Sequence, residues 1–113
     1  MINLPQRFVK DIHSVIDILS TNIEHHLVEI ILFGSCARGE LKTGSDIDLL
    51  IITDKPIDTH EERGRIRDLV DLYNVDLVFY TQEVFEASTS LFVKNIKRDG
   101  ISLWKEGKRC EAI

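Results

Sequence analysis

Apolar residues recur at Phe8, Ile12, Val15, Ile16, Leu19 and Ile23, which predicts a helix with one sticky face from Leu4 to about His25. Pro5 suits the first turn of such a helix. Two apolar runs follow. Val28-Glu29-Ile30-Ile31-Leu32-Phe33 stops at Gly34-Ser35, and Asp46-Ile47-Asp48-Leu49-Leu50-Ile51-Ile52 opens on two carboxylates; both read as buried strands. Between Glu61 and Tyr73, Ile66, Leu69, Val70 and Tyr73 stand at i, i+3, i+4 and i+7, the stripe of a second helix with a charged outer face. Val75-Asp76-Leu77-Val78-Phe79-Tyr80 reads as a third strand. From Thr81 and Val84 onward, Phe85, Leu91, Phe92 and Ile96 mark one last long helix that Gly100 stops. Ile101-Ser102-Leu103-Trp104 is expected as a short extended tail packing back on the rest. This order predicts an α/β (α+β) fold, a small mixed sheet with helices packed on one side, as one domain over residues 1–113.

Composition narrows the picture. A hydrophobic content of 43% and a charged content of 29% are ordinary for a soluble globular chain of 113 residues with one core. The formal charge of −5 argues against nucleic acid as a direct partner, because attraction to phosphate dominates that kind of binding. No apolar run reaches the length of a membrane span, and the first residues lack the pattern of a signal peptide. Cys36 and Cys110 have neither CxxC spacing nor scaffold density, so a reducing cytoplasm is the expected compartment.

The chemistry lies where the two strands meet. On a strand, Asp46 and Asp48 share a face, ~7 Å apart at a rise of ~3.3 Å per residue. Two such carboxylates repel unless a cation stands between them, and Mg²⁺ is the oxygen-seeking ion that suits them. Gly34 lets a ligand approach the backbone, and Cys36-Ala37-Arg38 reads as a first helical turn with Ser35 at its N-cap, an arrangement that accepts phosphate oxygens. A phosphate cradle followed by a carboxylate pair points to nucleotide chemistry. Gly34-x₄-Gly39 and Gly39-x₄-Gly44 have P-loop glycine spacing, but Glu40-Leu41 and Ser45-Asp46 follow instead of Lys-Ser/Thr, so a Walker-type ATPase is rejected. Asp76 opens an apolar strand, where burial is costly unless a cation or donor meets it; the alternative is a strand-end aspartate in water. His25 and His26 are adjacent, do not face one ligand on a helix, and read as a solvated helix end.

Gly34-Ser35, ten intervening residues and Asp46-x-Asp48 resemble the signature of the DNA polymerase β-like nucleotidyltransferase superfamily. The fuller string, Gly-Ser-x-Ala-Arg-Gly then Ser-Asp-x-Asp-Leu, is similar to its minimal nucleotidyltransferase branch, and the resemblance covers nearly the whole chain. It implies the polymerase β-like fold, ATP as substrate, and two Mg²⁺ ions (Mn²⁺ as substitute) held by Asp46 and Asp48, with Asp76 as the third carboxylate from the neighbouring strand. Gly34 and Ser35 would bind the β/γ-phosphates, and Ser45 would cap or orient Asp46. Arg38 would either add charge at the leaving group or serve as a structural hydrogen-bonder, and Cys36 fills a position the pattern leaves free.

Larger relatives carry extra segments that hold the acceptor. Nothing is left over here, so the acceptor is expected to be held by a partner or a second copy, or to be a docking protein. Members of the minimal branch resemble antitoxins that silence a HEPN-domain RNase toxin by attaching AMP to a tyrosine, which is the leading expectation. The alternatives are transfer to a small molecule such as an aminoglycoside, and a binding module that neutralises a partner by occlusion without catalysis. No residue singled out here distinguishes ATP from GTP or CTP.

Overall fold

The computed structural model describes residues 4–40, 47–57 and 60–113. Its first helix, α1 (Gln6–Asn22), has Pro5 as its N-cap residue, and its stripe is buried at Phe8, Ile12, Val15, Ile16 and Leu19. The chain then enters β1 (Leu27–Phe33), turns through the single helical turn α2 (Gly34–Ala37) and returns as β2 (Ile47–Thr53). Helix α3 (His60–Val70) carries it over to β3 (Val75–Thr81).

The sheet contains five strands in the order β3-β2-β1-β4-β5, where β4 is Ile101–Lys105 and β5 is Lys108–Arg109. The β2–β3 pair is parallel and the others are antiparallel, so the sheet is mixed as expected. A parallel pair needs a crossover, and α3 supplies it. Leu49, Leu50 and Ile51 on β2 are completely buried, the mark of a strand covered on both faces.

Helices α1 and α3 cover one face, where Ile12, Val15, Leu19, Ile66 and Val70 join Ile30, Leu32, Leu49, Ile51 and Leu77 in the main core. The opposite face carries a smaller cluster of Ile31, Leu50, Ile52 and Ile96, with Phe33, Val78, Tyr80 and Phe85 packed against it. The expected packing on one side therefore holds for the two long helices, while the C-terminal helical segment lies on the other side.

Three local expectations need correction. The last long helix is two short ones, α4 (Gln82–Ala87) and α5 (Leu91–Asp99), because hydroxyls interrupt it. The Thr81 and Ser90 side chains each accept a backbone N–H three residues on, from Val84 and Val93 at 3.2 Å, so each caps a new helix. The Ile101–Trp104 segment is no loose tail: it is a strand paired to β1, with Leu103 and Trp104 buried. In the second helix, Ile66 and Val70 are buried, but Leu69 is 41% exposed and Tyr73 lies past the helix end, where its N–H bonds to the Val70 carbonyl at 2.9 Å.

Candidate active site

One end of the sheet gathers the close of β1 and the starts of β2, β3 and β4. Phe33 stands opposite Asp48, Asp48 opposite Asp76, and Leu32 opposite Ile101. The flanking residues Ile47, Leu49, Val75 and Leu77 face the main core, so Asp48 and Asp76 both project from the other face. The two carboxylates are thus neighbours on adjacent parallel strands, as expected. Asp48 is half-buried and Asp76 exposed. The cost of burial therefore plays no part in explaining Asp76; its place beside Asp48 comes from strand register.

Gly34 turns the chain directly after β1 with φ +75°, and a Cβ built on it would overlap the Asp48 carboxylate. The glycine turn therefore lies directly against the Asp48 carboxylate, at a position where any side chain would displace that carboxylate. The expected N-cap is shifted: Phe33, in extended conformation, precedes the turn, with Gly34 and Ser35 inside it and no side-chain cap bond. The positive φ at Gly34 makes the corner that Ser35 was expected to make. The Ser35 carbonyl accepts the Glu40 N–H at 2.9 Å, and the Gly34 carbonyl accepts the Arg38 N–H at 3.3 Å, closing the turn on itself. Cys36 is buried in the main core, a packing role that suits a position free of chemistry. Arg38 is exposed and its Nε donates to Glu40 Oε2 at 3.2 Å, an ion pair in water that leaves it able to turn toward an anion. Asp46 and Ser45 lie outside the described residues.

The donor chemistry of Asp48 and Asp76, carboxylate oxygen only, fits a hard divalent cation. Among the described residues no group of three or more His, Cys, Asp or Glu side chains converges on one point.

Beside Gly34 opens a cleft of about 230 Å³ lined by Phe33, Gly34, Arg38, Phe92, Asn95, Ile96 and Asp99. Asp99 is bound by two guanidinium nitrogens of its neighbour, Arg98 Nε donating to Oδ1 at 3.0 Å and Nη2 to Oδ2 at 2.8 Å. These bonds hold its carboxyl below the usual range, with the charges of Arg98 and Arg38 adding to the effect. Sequence reasoning missed the α5 contribution, although its signal was present: Phe92, Asn95, Ile96 and Asp99 stand at i, i+3, i+4 and i+7 on one helix face. A second cleft, about 210 Å³, lies at the β3 edge between Arg67, Tyr73, Val75 and Asp76.

A parallel carboxylate pair set against a glycine turn, on a mixed sheet backed by two helices, defines a nucleotidyltransferase domain. Residues 12–103 match the family model of that description, and the chain belongs to the nucleotidyltransferase domain family. Among curated proteins it is similar to the "Putative protein adenylyltransferase" of Methanocaldococcus jannaschii, 28% identical over 105 residues, covering 91% of this chain and 98% of the relative. Among solved structures it resembles a chain of a toxin–antitoxin complex crystallised with AMP-PNP (26% identity, TM-score 0.59, covering 83% of this chain and 73% of that one). It also shares the fold of a chain in the complex of the Shewanella oneidensis tri-AMPylated HEPN toxin with MNT antitoxin (22% identity, TM-score 0.55, 88% and 73% covered).

Proposed function

We propose that this chain transfers AMP from ATP to a tyrosine hydroxyl of a HEPN-type RNase partner, and so acts as the antitoxin of a toxin–antitoxin pair. The observation that carries the reading is the register that sets Asp48 beside Asp76, with Gly34 seated against the Asp48 carboxylate. The adenylyltransferase relative and the AMP-PNP complex supply the nucleotide and the class of partner.

In this reading the acceptor oxygen attacks the α-phosphorus, the bond from that phosphorus to the bridging oxygen breaks, and pyrophosphate leaves in line. Asp46 and Asp48 would hold two Mg²⁺ ions, with Asp76 completing the set; bound there, the ions neutralise charge on the attacking and leaving oxygens. Asp76, exposed at the β3 end, faces the acceptor and draws the proton from the incoming hydroxyl. Gly34 and Ser35 offer backbone N–H groups to the β/γ-phosphates, Ser45 orients Asp46, and Arg38 swings from Glu40 to the departing pyrophosphate. No helix among the described residues is long and apolar enough to cross a membrane. Two free cysteines suit the reducing cytoplasm in which such a pair would meet.

The test is intact-mass spectrometry of the partner after co-expression. Wild type should add adenylyl groups, and Asp48→Asn should lower transfer by several orders of magnitude while staying folded, since it removes charge at constant size. An unmodified but silenced partner would replace this reading with occlusion.

A further inference from the structure

Of the residues lining the cleft, Gly34 and Arg38 belong to the motif chemistry, whereas Phe92 and Asn95 have no part in it. The cleft's 230 Å³ falls below the ~300–1,000 Å³ of a site enclosing a whole drug-sized ligand. It has room for one flat ring system and leaves the rest of a nucleotide outside. Phe92 is 41% exposed, which leaves part of its ring open to the cleft that it lines. Its ring is fixed from behind, edge-on to Phe33 at 5.5 Å and tilted against Tyr80 at 6.1 Å, so it is a rigid platform. One turn along the same helix face, the half-buried Asn95 amide has no hydrogen-bond partner among the described residues. The charges lining the cleft, Arg38 and Asp99, are opposite in sign. A phosphate placed inside would face the Asp99 carboxylate, whereas a neutral ring with amine hydrogens would be welcomed by it.

We infer that this cleft is the nucleobase subsite of the chain, with Phe92 stacking on the base and Asn95 reading its edge as adenine. The inference rests on the transfer reading above and adds to it the residues that choose among nucleotides. A base in the cleft lies against Gly34, so its phosphates emerge at the glycine turn beside Asp48. An amide side chain offers one donor and one acceptor, the pattern that pairs with adenine N7 and N6 and mismatches guanine N7 and O6, both acceptors. Phe92 supplies affinity for any base and Asn95 supplies the choice.

Calorimetric titration with MgATP, MgGTP and magnesium tripolyphosphate tests this, because tripolyphosphate has no base. Phe92→Ala should weaken MgATP roughly 5- to 150-fold, the range of one base–aromatic stack, and leave tripolyphosphate unchanged. Phe92→Trp should retain MgATP binding. Asn95→Leu should bring the MgATP and MgGTP affinities together while the wild type prefers MgATP. Unchanged MgATP binding in Phe92→Ala, or equal losses for MgATP and tripolyphosphate, would overturn the base subsite and leave the transfer reading standing. A wild type that binds neither MgATP nor tripolyphosphate would overturn both.

Discussion

Replacing Gly34 by alanine separates the two demands made on that position. The first is backbone conformation: at φ +75° an alanine costs about 1–2 kcal/mol. The second is space, since the new Cβ would occupy the volume of the Asp48 carboxylate tip. That tip can rotate away, and the Asp48 Cγ and Cβ would stand at an ordinary 3.4 and 3.6 Å. The clash therefore adds little to the loss of stability, but it moves the carboxylate from its place beside Asp76. Gly39 is the control, with φ +73° and nothing within 4 Å of a Cβ. Both Gly34→Ala and Gly39→Ala should lower the urea midpoint alike, by roughly 0.3–2 M for a chain whose unfolding slope is ~1–3 kcal/mol/M. Only Gly34→Ala should impair transfer, by about 100-fold if the carboxylate shifts by about an ångström. That loss equals about 2.7 kcal/mol of barrier. Urea unfolding by circular dichroism reads the first quantity and AMP transfer at saturating MgATP the second. Equal transfer rates in two equally stable variants would refute the claim that Gly34 positions Asp48.

Three further outcomes follow from the same geometry. Removing divalent metal with EDTA should abolish tight ATP binding, since triphosphate and carboxylates repel at close range; calorimetry in the chelator reads it directly. Ser90→Ala removes the cap that starts α5 and should cost about 1 kcal/mol in urea unfolding, with the cleft beside Gly34 loosened because Phe92 and Asn95 ride on that helix. Because Arg98 holds the Asp99 carboxyl below its ordinary value, the contact contributes above the unfolded pKa and is lost as pH falls through the lowered folded one. Arg98→Ala should raise the Asp99 midpoint toward that of a free aspartate, as read by carboxyl NMR titration.

The parts of this fold that were legible in the sequence were those with strong periodicity. Every apolar position of the α1 stripe is buried, and the three strands nearest the motif stand where their apolar runs lie. That Asp76 stands on the strand beside Asp48 was legible only through the family resemblance; their residue-to-residue pairing is set by the strand register. What escaped was set by hydroxyls and by tertiary context. Ser90 breaks an apolar helical pattern because its oxygen satisfies the Val93 N–H, an effect that periodicity does not weigh. Ile101–Lys105 has too few residues to announce a strand, and becomes one because β1 offers it an edge. Phe92 was legible only as an apolar position of the last helix: its spacing shows which face it shares, and only the fold shows that the face is partly open.

The strand order also bears on how the protein is made. β1, which ends at the glycine turn, lies in the middle of the sheet, and one of its edges is closed only by β4. All the motif residues leave the ribosome before residue 101 does, so the nascent chain carries its chemistry ahead of its completed sheet. From the end of β1 at Phe33 to the start of β4 at Ile101 roughly 3–14 s pass at ~5–20 residues/s, during which an apolar strand edge stands unpaired. Assembly therefore waits on a contact of long sequence separation, the kind that slows folding and exposes edges to aggregation. The central strand gains its second neighbour only when β4 arrives.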